Sequence, residues 1–126
     1  MKKLHRMLLP VELTNGNDGR GSKWFSSAKV RKDIERNFRA LGFARRTPFP
    51  EGVCVRVTRV LGKGQRLWDA SSIGRGNWKE IEDALVALGW FVDDGPKYIS
   101  QVRFEQDDEQ RGIGPCVMVD VYEESK

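Results

Sequence analysis

Two apolar periods alternate along this chain. A spacing of two lines one face of a strand, and a spacing of three to four lines one face of a helix. Residues 4–13 follow the first, with Met7, Leu9, Val11 and Leu13 on one side. Pro10 lacks a ladder donor, so this strand should lie at an edge or carry a bulge. From Ser26 or Ser27 to about Leu41 the helical period takes over, with Val30, Ile34, Phe38 and Leu41 as the buried stripe and Gly42 as the stop. Pro48 and Pro50 bracket a turn. Residues 52–61 return to a spacing of two: Val53, Val55 and Val57 point one way, Cys54, Arg56 and Thr58 the other. A second helix is expected over 77–88, burying Ile81, Ala84, Leu85 and Leu88. Asn77 followed three residues later by Glu80 reads as a capping box, and Gly89 as a left-handed stop. Strands over 98–105 (Val102 and Phe104 inward) and 115–122 (Val117, Val119 and Val121 on one face) flank an acidic hairpin loop at 106–114. The order β-α-β-α-β-β implies an α+β fold, a small mixed sheet with two helices, in one domain over 1–126.

Length and composition narrow the classes. A chain of 126 residues with 39% hydrophobic and 10% aromatic content can bury one real core. No run approaches the ~20 apolar residues of a membrane span. Lys2 and Lys3 precede an apolar stretch too short and too broken for a signal peptide, so a cytoplasmic protein is expected. Cys54 and Cys116 lie far apart and His5 is the only histidine, which argues against zinc and against Cys-His or Ser-His nucleophiles. Two buried free thiols are expected instead.

The net charge of +4 conceals an asymmetry. Residues 1–79 hold 18 Lys/Arg and 6 Asp/Glu, whereas residues 80–126 hold 4 and 12. A basic surface on one part suits a polyanion. Candidate phosphate contacts are Arg20 and Lys23 in the glycine-bearing loop 14–23, Lys29 and Arg31 on the first helix, and Arg66 and Arg75 in the loop 62–76. The glycine loop is not a phosphate loop, because no Gly-Lys-Ser/Thr ending follows. Solvated faces are the ordinary use of such residues. Trp68 and Trp78, which flank the second loop, either stack on bases or anchor the loop in the core.

The acids and one lysine suggest chemistry. Hydrolysis of a phosphodiester by metal ions needs carboxylates for Mg²⁺ and a cation for developing oxyanion charge. Asp69, Asp94 and Lys79 are the right types, with Asp93 and Glu82 in reserve. Lys79 would sit in a first turn, where a cation opposes the helix dipole. A helix over 77–88 runs roughly 18 Å at ~1.5 Å per residue. The residues from Gly89 to Asp94 can return roughly 17 Å. Asp94 therefore reaches Lys79 and Asp69 if the chain doubles back, and otherwise meets a partner subunit.

The segment Asp69-Ala70 … Lys79 … Asp83-Ala84-Leu85 … Gly89-Trp90-Phe91-Val92-Asp93-Asp94 resembles the RusA family of Holliday junction resolvases. Asn15, the Trp24-Phe25-Ser26 run, Arg31 and the closing Val117–Tyr122 strand are similar to that family as well. The resemblance implies a homodimeric, Mg²⁺-dependent endonuclease (Mn²⁺ also serving) that acts on branched DNA. Asp69, Lys79 and Asp94 would be its catalytic residues. The family's Asp-x-Asp-Asn run is degenerate here, with Ser71 and Ser72 at its last two positions. Ser71 would be a neutral, weaker ligand beside Asp69 and Asp94. A homologue that binds DNA without cleaving it is the alternative, and a protein with no nucleic-acid role is the third.

Overall fold

The computed structural model describes residues 2–15, 27–50 and 52–124. Arg20 and Lys23 lie outside them. Six main elements run in chain order: β1 (Lys3–Leu9), α1 (Ser27–Ala40), β2 (Val53–Val60), α2 (Trp78–Ala87), β3 (Ile99–Asp107) and β4 (Cys116–Glu123). A short 3-10 turn, Ala70–Ser72, precedes α2. The strands form one mixed sheet in the order β1-β4-β2-β3, in which β2 and β3 run parallel and the other pairs antiparallel. This is the expected α+β domain. Among the described residues no helix is long and apolar enough to cross a membrane.

Alternation divides the sheet into two unlike faces. Val53, Val55 and Val57 with Val117, Val119 and Val121 pack against Ile34 and Phe38 of α1 and Ile81 and Leu85 of α2 in one core. Each fully buried aliphatic side chain there contributes roughly 1.5–3 kcal/mol. β2 is central and is covered on its other face too, since Cys54 and Thr58 are also buried. Both cysteines are free and buried.

Several local expectations are corrected. β1 ends at Leu9 and not at Leu13, so Pro10 lies just beyond the ladder, and the strand is at one edge of the sheet. Leu41 is exposed, not buried. α1 stops a residue earlier, and the left-handed Gly42 turns the chain so that the Phe43 N–H bonds the Phe38 carbonyl at 2.9 Å. Phe43 packs on Phe38, with ring centroids 5.8 Å apart. Asn77 makes no side-chain cap. Its amide instead accepts from the Thr14 N–H at 2.9 Å and donates to the Glu12 carbonyl at 2.9 Å, which ties the chain after β1 to the start of α2. Gly76 makes this approach possible, because a Cβ there would lie 1.7 Å from the Thr14 oxygen.

A tight reversal ends α2. Gly89 has φ +90°, its N–H bonds the Val86 carbonyl, and the Trp90 N–H bonds the Leu85 carbonyl. This pair is the Schellman arrangement that turns a chain back on itself. Residues 43–49 then receive the reversed strand: the Arg45 N–H bonds Leu88 O at 2.8 Å, the Phe49 N–H bonds Trp90 O at 3.0 Å, and the Trp90 indole donates to Phe43 O.

On the face of the sheet away from the helices, Asp120 of β4 is fully buried. It accepts from Arg6 Nε at 2.6 Å and Arg56 Nη2 at 3.0 Å, with Lys3 Nζ at 3.5 Å. Burial alone would raise its carboxyl; the bonds from Arg6 and Arg56 outweigh that and hold the pKa below the usual carboxylate value. The stability this network supplies is therefore present above the unfolded carboxyl's pKa of about 3.9 and lost as pH falls through the lower folded value. Asp120→Asn should cost on the order of 2 kcal/mol at pH 7 by urea denaturation, and less as the pH falls toward 2. A constant difference between the two proteins across that range would contradict this.

Gly89→Ala should destabilise the fold by more than about 2 kcal/mol, because it forces a side chain into a left-handed backbone. The added Cβ would also lie 2.1 Å from the Arg45 oxygen. Denaturation midpoints equal to the parent's would show that the turn is not constrained.

Candidate metal centre

α2 carries Lys79, Glu82 and Asp83 at spacings of three and four, so the three side chains share one helix face. The reversed segment then delivers Asp94 to the same place from the far end of the helix. Lys79 Nζ lies 3.2 Å from Asp83 Oδ1 and 3.5 Å from Glu82 Oε1, and it forms its tightest ion pair with Asp94 Oδ2. Asp94 thus meets Lys79 within one chain. Asp93 is exposed, and its carboxylate accepts the Asp94 N–H at 2.8 Å, which fixes the turn.

Carboxylate oxygens of Glu82, Asp83 and Asp94 all lie within 4.8 Å of one another. Hard oxygen donors suit Mg²⁺ or Mn²⁺. Ligands around a six-coordinate Mg²⁺ at ~2.1 Å are roughly 3–4 Å apart, so a modest closure would seat an ion. The cluster could hold a metal ion, provided the Lys79 ammonium moves from among the oxygens it now neutralises.

The electrostatics are those of a cluster held under tension. Glu82 is buried, and burial pushes its carboxyl above the ordinary range, with Lys79 opposing that only in part. Partial burial would lower Lys79, but Asp83 and then Glu82 outweigh it and raise its pKa. One ammonium faces three acids here, so Lys79 offsets only part of the cost of burying Glu82, and such perturbed groups are common where a residue serves a function.

The other sequence candidates lie elsewhere. Asp69 is exposed at the start of the 3-10 turn, where its carbonyl accepts the Ser72 N–H at 2.9 Å, and it is not one of the three clustered acids. Ser71 is exposed on the same turn. Arg66 and Arg75 are exposed in the preceding and following loop, and Arg31 and Lys29 sit on α1, the latter 3.0 Å from Asp33. Trp68 lies under Arg59, whose guanidinium carbon is 3.6 Å from the ring centroid. Trp78 is buried edge-on to Phe104. Both tryptophans therefore anchor the loop between β2 and α2. Asp83 is the acid that sequence reasoning misses as a ligand. Its signal is the i,i+4 relation to Lys79.

No protein-family model, curated protein or solved structure matches the chain.

In metal-free protein at pH 7, Glu82→Gln should melt at the same temperature as the parent or higher, because it removes a carboxylate whose ionised form burial disfavours. Millimolar Mn²⁺ should raise the parent's melting temperature by mass action and leave that of Glu82→Gln nearly unchanged. Equal Mn²⁺-induced shifts in both would show that Glu82 holds no ion.

Proposed function

We propose that this protein is a Mg²⁺-dependent, structure-selective endonuclease acting on branched DNA, related to the RusA family of resolvases. The observation that carries the reading is the convergence of Lys79, Glu82, Asp83 and Asp94, with Asp94 arriving from beyond the far end of α2. Asp94, Asp83 and Glu82 would hold the ion. When bound, it would lower the pKa of a water and neutralise charge on the scissile phosphate. Lys79, released from the carboxylates, would place its ammonium against a non-bridging oxygen and stabilise charge developing there. The ordinary pKa of a lysine, about 10.4, keeps that ammonium protonated at neutral pH. Lys29 and Arg31 on α1 and Arg66 and Arg75 in the loop would contact the phosphate backbone in a salt-dependent way. A homodimer would present two such centres for paired cuts.

One observation favours a second reading, a protein that binds branched DNA without cleaving it. Asp69 stands apart from the carboxylate cluster, and neutral Ser71 stands where the resembled family carries an acid. Two ligands expected from the family pattern are thus missing from the centre.

The deciding assay incubates four-way junctions with the protein and Mg²⁺ or Mn²⁺. Cleavage should appear with the parent and fall at least about a hundredfold in Asp94→Asn and Lys79→Met. Junction binding at low salt should survive in both variants. Binding without cleavage by the parent supports the second reading. Neither binding nor cleavage at low salt removes both.

A further inference from the structure

The helix-free face of the sheet carries a charge arrangement that its own residues do not resolve. Register aligns Arg6 of β1, Asp120 of β4, Arg56 of β2 and Arg103 of β3 in one row across all four strands. Asp120 is the single acid in that row and already serves Arg6, Arg56 and Lys3. Arg103 sits directly opposite Arg56 and is exposed, and its side chain makes no ion pair or hydrogen bond among the described residues. Glu105, one pleat along, reaches Arg56 only at 3.9 Å. Arg6, Arg56 and Lys3 therefore share Asp120, with Glu105, Asp107, Asp108 and Glu109 lining an adjoining pocket beside Arg6 and Arg56, while the Arg103 side chain pairs with none of them.

Like charges placed directly opposite each other destabilise a strand pair, so Arg56 against Arg103 breaks a local rule of sheet pairing. Rules of this kind are broken at sites that serve another purpose. The two guanidiniums, with Cys54, Val55 and Tyr122, line a shallow pocket of about 200 Å³. Arg56 directs Nε and Nη2 at one oxygen of Asp120, at 3.3 and 3.0 Å, which leaves Nη1 free of that carboxylate. Its guanidinium carbon lies 5.3 Å from the Tyr122 ring centroid, so the pocket has an aromatic wall.

Two guanidinium forks can donate to several oxygens of one tetrahedral phosphate at once, more acceptors than the two oxygens of a single carboxylate. We propose that the helix-free face of the sheet binds a phosphate group between Arg56 and Arg103, beside Tyr122. The site is independent of the metal centre, whose helix packs on the opposite face of the sheet. The phosphate belongs either to a free nucleotide or to a nucleic-acid backbone. In both cases the guanidiniums supply the affinity, and Tyr122 offers an apolar edge to the attached sugar or base.

The test is a titration of the full chain at low salt, followed by backbone amide NMR, with inorganic phosphate, a mononucleotide and a short oligothymidine. Amides around 54–56, 103 and 122 should shift with at least one probe. A preference for the oligonucleotide identifies the backbone as the source, and a preference for the mononucleotide identifies a free nucleotide. Arg103→Gln, which removes no ion pair from the fold, should weaken the binding about tenfold by deleting one charge-assisted contact. Glu105→Gln should tighten it. The proposal is overturned if none of the probes moves these amides, if the shifts map to Lys79–Asp94 instead, or if Arg103→Gln binds as the parent does.

Discussion

The left-handed backbone of Gly89 sets the course of everything after α2. A residue with a side chain would meet the Arg45 carbonyl there, and the helix could not hand its chain back along residues 43–49. The hydrogen bonds from Arg45 and Phe49 and the indole of Trp90 then fix that return path. Only because the path is fixed does Asp94 arrive beside Lys79, a residue from the first turn of the same helix. A local conformational freedom is thereby converted into a long-range juxtaposition of charge.

The sheet separates two electrostatic tasks. On the helix side, apolar packing is dense and the charged groups lie on the outer surfaces of α1 and α2 and on the returning segment. On the other side, a single buried carboxylate, Asp120, ties β1, β4 and β2 together through Arg6 and Arg56. Asp120 is shared by Arg6, Arg56 and Lys3, while the side chain of Arg103 in the same row has no partner among the described residues. The carboxylate cluster on α2 has the opposite imbalance, with three acids around one ammonium. Each imbalance favours a ligand of opposite charge, a cation at one and an anion at the other.

Much of this is legible in the sequence, for identifiable reasons. The element order emerges from valine alternation in β2 and β4 and from the helical spacing of Ile34 and Phe38 and of Ile81 and Leu85, since these periods report burial directly. Gly89 announces the end of α2 because few residues tolerate its backbone. Leu41 misleads because its spacing continues the stripe while Gly42 has already ended the helix. Asn77 misleads because a good cap residue is drawn away by Thr14 and Glu12, contacts that span more than 60 positions in sequence. The row of Arg6, Asp120, Arg56 and Arg103 is invisible for a related reason: it exists only once strand order and register are known. Within the candidate site, Lys79 and Asp94 stand out by their chemistry, whereas Asp83 becomes a candidate only when the helix face is seen.

The most direct measurement is an anomalous difference map from crystals soaked in Mn²⁺. If the three carboxylates form the metal centre, one strong peak lies within about 2.2 Å of oxygens from Glu82, Asp83 and Asp94, with the Lys79 ammonium displaced from Asp94. A map with Mn²⁺ bound elsewhere, or with Lys79 still seated among the three carboxylates at saturating Mn²⁺, would contradict it.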